Sequence, residues 1–468
     1  MAKQLKREHE LLALVVRLDR ERGRPIVGLT LETHAKPAPR TLLTYSVPPA
    51  ELGMPRYLEP SAFPTFTLPE DLLTRVGAQI DALGPPRTQP LWLHLDNPYG
   101  LLGVLPWESL LAQRLQRPIL RLPDFLEPCR ERRSTLDVAI CCSAPVADAP
   151  IHVKVIVERL TRTILHTAPR PETTVHVFAD AAYFSDLTAM FANEPRVRVY
   201  DPGIAATTTA ADTDRPRAVR CPWLRWIRDA MQGRSLDTIH FICHGFLAHD
   251  RPSFAVAESP LHNEDPEAPR LVGSPELNDF LTQTGAWSVT FSAPPDNYSE
   301  AGLRLLVDAI AQLRPGPAVY HDVKGDDPAL TAIGKTYAFL FSPNPTEAPF
   351  DPSTFIYCQP SLVAGVARGT VLPTPLEDIL AANDELFQDD IFSPRPSFRG
   401  ATTAPPDSAS EIPNWLSAAQ RSVEQAVYGV RRATVATKMP RGTDGVTRAL
   451  RDVQKVVGNF ARATRFKP

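Results

Sequence analysis

Short apolar segments alternate with amphipathic ones from about residue 87 to residue 394, and this alternation limits the folds open to the chain. The short segments read LWLHL, LDVAICCSA, TVHVFA, VRVYD, TIHFICH, WSVTFSA and AVYHDV. Between them lie segments such as IHVKVIVERLTRTIL and YSEAGLRLLVDAIAQL, whose apolar residues recur every three to four positions. Strands that are apolar on both faces and alternate with helices are typical of a largely parallel sheet covered by helices on both sides. The sequence therefore predicts an α/β domain.

Four regions are predicted along the chain. Residues 1–86 form a β-rich region with strand-like runs LLALVVRL, PIVGLTLE and TLLTYSV, followed by one helix that begins PEDLLTRVGAQIDAL. Residues 87–394 form the α/β domain. Residues 395–412 are a linker rich in proline, serine and alanine, and residues 413–468 are a basic tail of two helices separated at MPRGTDG. A chain of 468 residues, 49 of them proline, has room for several units joined by stiff loops.

Cysteine usage and hydropathy predict a reduced, cytoplasmic protein. The cysteines show no CxxC pairing, which argues against a zinc site or a disulfide framework; they stand at positions 129, 141, 142, 221, 243 and 358. No uncharged apolar run approaches the ~18 residues of a membrane span, and the charged N-terminus does not resemble a signal peptide. The sequence has no GxxxxGKS/T phosphate-binding loop, and neither a cofactor nor a metal is expected.

Three predicted strands end in polar residues: CHG at 243–245, SAPPDN at 292–297 and YHDVKGDD at 320–327. Ligands of open α/β sheets bind beyond the carboxyl ends of the strands, so these three ends form the candidate site and should meet in one crevice. Gly245 stands where the first of these strands must turn, as expected of a residue without a Cβ.

Strand alternation assigns the side chains around the first of these ends. It places His240, Ile242 and His244 on one face of the strand, and Phe241 and Cys243 on the other. Cys243 is therefore directed away from His244 and is expected to be a buried apolar side chain rather than a nucleophile. His244 is the candidate base.

The run HFICHG, the strand SVTFSA about fifty residues later, and the upstream segment YGLLGVLPWESLL together resemble the CHAT family of caspase-like cysteine peptidases. In that family one strand ends in a catalytic His-Gly, and the adjacent strand ends in a Ser-Ala-Cys motif that carries the nucleophile. The resemblance covers roughly residues 90–345, and the family's Pro-Trp-Glu element matches residues 106–108. It implies a caspase-like sheet sandwiched by helices, with His244 as the base and Gly245 beside it.

The family's nucleophilic cysteine is missing from this sequence. Ser-Ala-Cys aligns with Ser292, Ala293 and Pro294, and proline offers neither a thiol nor a backbone N–H for an oxyanion. No other cysteine falls at this position, and Ser292 would need a base aligned on its hydroxyl. If the alignment slips by one residue, Ala293 fits either a natural pseudo-peptidase or a variant whose cysteine was replaced by alanine. The chain as it stands is predicted to have no cysteine-peptidase activity.

Weaker signals surround the candidate site. His321 or Asp322 could orient His244 if their strands are neighbours, although a polar strand end is an equal alternative. Asp326 and Asp327 form an acidic turn, which is more often a solvated loop or a helix cap than a metal site. Trp223 and Trp226 are expected in the core rather than on a base-stacking surface.

The basic tail is predicted to contact a protein. Residues 413–468 hold eleven Lys or Arg against three Asp or Glu, a net charge of +8, which leaves −11 for residues 1–412. The first tail helix carries an apolar stripe formed by Trp415, Leu416, Ala419, Val423, Ala426, Val427 and Val430. Small residues with one tryptophan favour packing on a partner, on another copy or on the acidic body over an anionic membrane or nucleic acid. A solvated helical extension is the alternative.

Three hypotheses about function follow from the sequence. The first is a caspase-fold pseudo-peptidase that acts as a scaffold or sensor, and the resemblance implies a role in a bacterial immune or programmed-death system. The second is an active cysteine endopeptidase whose nucleophile was removed by mutation at position 293 or is misplaced by the alignment. The third is an adaptor that binds through the basic tail.

Overall fold

A computed structural model gives the fold of the protein. It describes residues 11–21, 24–33, 40–54, 66–96, 99–123, 134–145, 151–167, 170, 172–203, 219–248, 251–261, 269–294, 299–323, 330–342, 346–360 and 362–363. The chain divides into two compact units, residues 1–391 and 392–468, and all described residues belong to the first. The predicted linker at 395–412 and the basic tail at 413–468 lie outside the described residues.

The described residues form fifteen strands and eight α-helices. The strands are β1 (Leu12–Glu21), β2 (Arg24–Thr33), β3 (Arg40–Val47), β4 (Leu91–Asp96), β5 (Ile119–Arg121), β6 (Thr135–Cys142), β7 (Glu172–Ala179), β8 (Val197–Val199), β9 (Thr238–Ile242), β10 (Gly245–Ala248), β11 (Arg251–Val256), β12 (Arg270–Gly273), β13 (Ser288–Ala293), β14 (Ala318–Asp322) and β15 (Thr354–Tyr357). The helices are α1 (Glu70–Leu83), α2 (Trp107–Leu115), α3 (Val153–Thr167), α4 (Ala181–Met190), α5 (Pro222–Ala230), α6 (Ser274–Gln283), α7 (Ser299–Leu313) and α8 (Thr331–Phe341).

Twelve of these strands form one sheet. Its spatial order is β3-β2-β1-β4-β5-β15-β14-β13-β9-β6-β7-β8. The pairs β3/β2, β2/β1 and β14/β15 are antiparallel, and the other neighbours run parallel. Parallel strands need crossover connections, which the intervening helices supply. The predicted fold class is confirmed: the protein is α/β with a large, mostly parallel sheet, an arrangement consistent with a caspase-like fold.

The β-rich N-terminal region extends this same sheet. Strand β1 pairs in parallel with β4, so that Val15 lies opposite His94, and β2 and β3 continue outward as an antiparallel meander. The apolar faces of β1, β2 and β4 share a core with α1 and α2, in which Trp107 is fully buried. The predicted boundary near residue 86 therefore falls between α1 and β4, within one continuous sheet and one hydrophobic core.

A second hydrophobic core lies on the face of the central strands that α5, α6 and α7 cover. Phe241 of β9 and Phe291 of β13 stack with ring centroids 5.3 Å apart, and Phe254 of β11 packs against both rings. Trp223 and Trp226 lie in this core, as the sequence predicts. Strands β10, β11 and β12 form a separate antiparallel sheet directly after His244, which the apolar alternation did not indicate because these strands are short and contain Pro252.

Candidate functional site

The three strand ends singled out by the sequence lie side by side. Strands β9, β13 and β14 are consecutive neighbours and run parallel. Beyond the last residue of β9, the amide of Cys243 donates to the carbonyl oxygen of Ser292 at 3.4 Å, and the amide of Val323 donates to the carbonyl oxygen of Ala293 at 3.1 Å. His244 and Ala293 therefore occupy adjacent strand ends, the arrangement that a base and a nucleophile would need.

His244 is buried and faces the start of α7. Its side chain is 2% exposed, and its backbone carbonyl accepts a hydrogen bond from the amide of Ala255 at 2.9 Å. Its Nδ1 lies 3.3 Å from the Oγ of Ser299, the first residue of α7. We call His244 and Ser299 the strand-end pair. Since β9 ends at Ile242, strand alternation does not determine the direction of His244, and the sequence analysis did not identify Ser299, 55 residues away.

Gly245 is required by close packing rather than by a turn with positive φ. A Cβ on Gly245 would collide with the carbonyl oxygen of Ser299 and lie 2.7 Å from Cγ of Leu303. On the facing helix, a Cβ on Gly302 would lie 2.5 Å from the backbone nitrogen of Phe246. The two glycines let the backbone after His244 contact the first turn of α7 directly. Gly245 is therefore required by the contact with α7 and not by the sharp turn that was predicted from the sequence.

The nucleophile position carries no thiol in the structure. Ala293 is the last residue of β13 and is 2% exposed, and Pro294 follows it and is also buried. Residues 295–297, the last three of the SAPPDN segment, lie outside the described residues. Neither an alanine methyl group nor a proline ring can attack a carbonyl carbon.

The cysteines of the described part of the chain are buried and free, and none has the properties of a nucleophile. They are Cys141, Cys142, Cys221, Cys243 and Cys358. Burial raises the pKa of the thiols of Cys141, Cys142, Cys243 and Cys358 well above the ordinary value, and raises the pKa of Cys221 to about 11. A reactive cysteine needs the opposite shift, because the thiolate is the attacking species. Cys243 lies in the hydrophobic core, in keeping with the role expected of it.

Ser292 has imidazole nitrogens beside its hydroxyl, the condition that the sequence analysis left open. Its Oγ lies 2.7 Å from Nε2 of His240 and 2.9 Å from Nδ1 of His321, and Nδ1 of His240 lies 3.1 Å from the hydroxyl of Tyr337 on α8. We call these four residues the inner chain. All are at most 3% exposed. His321, proposed from sequence as an orienting group for His244, thus contacts Ser292.

The inner chain links the sheet to α8. Burial, and secondarily the nearby His321, lowers the pKa of His240 well below its ordinary value, so its imidazole carries no charge near neutral pH. The rings of His240 and Tyr337 are stacked, with centroids 5.9 Å apart and planes inclined by 6°. A fully buried hydroxyl that bridges two imidazoles satisfies polar groups inside the core. This arrangement presents no attacking group at the strand ends.

The Pro-Trp-Glu element contributes a buried ionic network. Arg121 of β5 contacts the carboxylates of Glu108 at 2.7 Å and Asp308 at 2.6 Å, Tyr357 donates to Asp308 at 2.8 Å, and Arg304 lies 3.4 Å from Glu108. Burial alone would lower the pKa of Arg121, but Glu108 and Asp308 outweigh it and raise the pKa well above its ordinary value. Because Arg304 and Asp308 belong to α7, the network fixes the helix that carries Ser299.

Several remaining predictions fall outside the described residues or near their limits. Asp326, Asp327 and the tail at 413–468 are not described, and Asp322 ends β14 half-buried. Within the described ranges, no group of three or more His, Cys, Asp or Glu side chains is placed to hold a metal ion. None of the described helices is long and apolar enough to cross a membrane.

Comparison with known proteins does not assign the chain to a family. No protein-family model matches it, and no curated protein matches its sequence. The geometry of the strand ends is therefore the principal basis for a functional proposal.

Proposed function

We propose that the protein is a caspase-fold, CHAT-like pseudo-peptidase that retains the family's histidine and lacks its nucleophile. The observation that carries this proposal is the juxtaposition of His244 with Ala293 and Pro294 at the adjacent ends of β9 and β13, joined by the Cys243 to Ser292 hydrogen bond. A cysteine peptidase needs a thiol within hydrogen-bond reach of the base. At this position the chain offers a methyl group and a proline ring.

The environment of His244 supports a role in structure or recognition. Its Nδ1 lies against Ser299, and Gly245 and Gly302 bring the following strand onto α7. The ionic network at Glu108 then ties α7 to β5. A site built from packed and buried parts can be kept as a binding or signalling element after catalysis is lost.

The biological setting of this proposal comes from the family resemblance. CHAT-like proteins commonly belong to bacterial immune or programmed-death systems, where they act together with partner proteins. We therefore propose that the chain is a scaffold or sensor in such a system, located in the cytoplasm and contacting a protein partner or another copy through residues 413–468. Five buried, free thiols are compatible with a reducing compartment.

A second candidate function is favoured by the position of Ala293. This residue closes β13 beside the backbone of residues 243 and 244, where a nucleophile would have to stand. The natural protein would then be an active cysteine endopeptidase, and this chain would be a variant of it whose cysteine at 293 was replaced by alanine. Binding through the basic tail, as an adaptor, is a third candidate that depends on residues outside the described part.

Restoring a cysteine separates the first two functions. The unaltered chain, Ala293→Cys and Pro294→Cys are each treated with a thiol-directed electrophilic peptide probe and mapped by mass spectrometry, with His244→Ala added to each variant as the matched control. The pseudo-peptidase proposal expects no His244-dependent labelling or peptide cleavage in the unaltered chain. His244-dependent cleavage that appears only in Ala293→Cys would favour the second function, and such cleavage by the unaltered chain would refute the first.

A further inference from the structure

A chain of hydrogen bonds distinct from the strand ends crosses β6, β7 and the end of β8. Nε2 of His176 lies 3.0 Å from Oδ1 of Asp137, and Nδ1 of the same ring lies 2.9 Å from the hydroxyl of Tyr200. Arg234 donates to that hydroxyl from Nη2 at 3.2 Å. Four ionisable side chains from separate segments are thus linked one after another by hydrogen bonds.

Chemistry determines the direction of these bonds. A carboxylate only accepts, so Nε2 of His176 carries the proton that is donated to Asp137, and in the neutral form of the ring this leaves Nδ1 without a proton. Nδ1 is then an acceptor, and the Tyr200 hydroxyl is its donor. Since a guanidinium only donates, the Tyr200 oxygen accepts from Arg234. The order Arg234, Tyr200, His176, Asp137 matches that of a nucleophile, its base and the carboxylate that orients the base, with a cation beside the nucleophile.

The surrounding structure holds Tyr200 and its base in place. The amide of Tyr200 donates to the carbonyl of Val177 at 3.0 Å, and its ring stacks on Phe178 with centroids 4.6 Å apart and planes inclined by 9°. His176 is fully buried, and the amide of Asp137 donates to Oδ2 of Asp237 at 2.9 Å. A nucleophile and base that are held by packing require little reorganisation to react.

The reactive end of this chain is open to reagents. Arg234 is exposed, Tyr200 is half-buried and the Asp137 side chain is 34% exposed, whereas the base between them is enclosed. This differs from the inner chain, whose hydroxyl is buried on every side. An exposed cation next to the attacking oxygen stabilises negative charge that develops there.

We propose that Tyr200 is an acceptor site for a group transferred from a tetrahedral electrophile of the phosphoryl or sulfonyl class, with His176 as general base. In this step the phenolic oxygen forms a bond to phosphorus or sulfur, and the bond to the leaving group breaks with its electron pair. The phenolic proton passes to Nδ1 of His176, and Asp137 stabilises the imidazolium until the proton is released to water. Arg234 supports the charge on the phenolic oxygen. The site is independent of His244 and of the proposed pseudo-peptidase function.

An aryl sulfonyl fluoride tests this proposal on the full chain, because its sulfur is tetrahedral and fluoride is the leaving group. Labelling rates are measured by peptide mapping at Tyr200 and at Tyr183, a half-buried tyrosine on α4 that serves as an internal control. A positioned general base accelerates such a step by about 10² or more, so Tyr200 should react about 100-fold faster than Tyr183. Equal rates at the two tyrosines would overturn the proposal.

Two variants identify the cause of the reactivity. Asp137→Asn preserves shape but lets His176 hold its proton on Nδ1, which removes the acceptor from Tyr200, so the rate at Tyr200 should fall to that at Tyr183. Arg234→Gln, in an exposed turn, should lower the rate several-fold without affecting the fold. Tyr200→Phe should abolish the label. An unchanged Tyr200 rate in a folded Asp137→Asn, or in Arg234→Gln if the former does not fold, would contradict the assignment.

Discussion

The strand-end pair and the inner chain are two buried serine–histidine arrangements close to the ends of β9 and β13, and they differ in their distances and in their surroundings. His244 faces one hydroxyl, that of Ser299, at 3.3 Å. Ser292 lies between two imidazoles, those of His240 and His321, at 2.7 and 2.9 Å. The tighter geometry belongs to the arrangement inside the core, where packing requires every polar group to be bonded. A short serine–histidine distance is therefore not evidence of catalysis by itself. A catalytic histidine also needs a nucleophile beside it at the strand ends.

The largest expected effect is a loss of stability at α7, the helix that carries Ser299 of the strand-end pair. Glu108→Gln removes a buried carboxylate that contacts both Arg121 and Arg304, and leaving buried cations without that charge should lower the free energy of unfolding by about 3–5 kcal/mol. Urea unfolding measures the loss. Amide hydrogen exchange should increase at the start of α7, which carries Ser299 of the strand-end pair, more than in β9, which carries His240.

Glu300→Gln is the matched control for that change. Glu300 lies 2.7 Å from Arg304 on the same helix but is 28% exposed, so its loss should cost less than about 1 kcal/mol. Equal losses for Glu108→Gln and Glu300→Gln would mean that the network does not hold α7 as described.

A methyl group at Gly245 tests the contact that positions the strand-end pair. Gly245→Ala places a Cβ against the carbonyl of Ser299, and the resulting overpacking should cost about 1–3 kcal/mol or more. Gly77→Ala on α1 is the control: its Cβ would lie 3.8 Å from Leu115, an ordinary contact, and alanine is the better helix former. Thermal unfolding should show a lower midpoint for the first variant and an equal or higher one for the second. A stable Gly245→Ala chain would contradict the backbone contact.

Deleting one hydroxyl at a time compares the arrangements directly. Ser292→Ala removes a group shared by two buried imidazoles and should cost about 1–3 kcal/mol, whereas Ser299→Ala removes the longer 3.3 Å contact with His244 and should cost about 0.5–1.5 kcal/mol. Chemical denaturation of both variants measures the difference. If Ser299→Ala lost more of the free energy of unfolding than Ser292→Ala, the strand-end pair would stabilise the fold more than the inner chain, contrary to this account.

The last effect is gradual and appears in the dependence of stability on pH. The folded state lowers the pKa of His240, whereas the unfolded chain binds the proton near the ordinary value of about 6.5. The contribution of His240 to stability is therefore complete above about pH 6.5 and declines as the pH falls below it, by up to about 1.4 kcal/mol per pH unit.

Asp180 acts in the opposite direction over part of that range. Burial raises its pKa to about 6, so its contribution favours the folded state at low pH and is lost as the pH rises through 6. Burial likewise raises the pKa of Asp308 to about 6, so the decline due to His240 is the difference between the pH profiles of Asp180→Asn with and without a second change at His240, measured by denaturation from pH 7.5 to 5. Adding His240→Gln should flatten the curve, and an equally steep curve in that double variant would assign the decline to other groups.

The elements that sequence predicted best are those with a local pattern. Apolar runs and helical spacing predicted β9, β13, α7 and α8, and the His-Gly run located His244 at a strand end. Pairings between distant segments had no local signal: β1 joins β4 across about eighty residues, and Ser299 meets His244 across 55. The contact between Ser299 and His244 had one available indication in the sequence, which was a serine at the start of the helix that follows β13.

The inner chain shows the same limit at the level of side chains. Alternation placed His240 on the face opposite Phe241, but only the register of β9, β13 and β14 brings His240 and His321 to the Ser292 hydroxyl, and only the packing of α8 brings Tyr337 to His240. Gly245 was correctly singled out for its missing Cβ, although the neighbour that requires it is α7. Long-range packing, rather than local propensity, determined each of these features.

The most direct test of the central claim is peptide hydrolysis by the unaltered chain and by His244→Ala, measured side by side on a protein substrate and on a library of fluorogenic peptides. The account predicts the same background rate for both, because the nucleophile position at the end of β13 carries no thiol, and the neighbouring Cys243 is buried in the core with its pKa raised by burial. Circular dichroism confirms that the variant is folded. A rate in the unaltered chain that exceeds that of His244→Ala would contradict the assignment of a pseudo-peptidase.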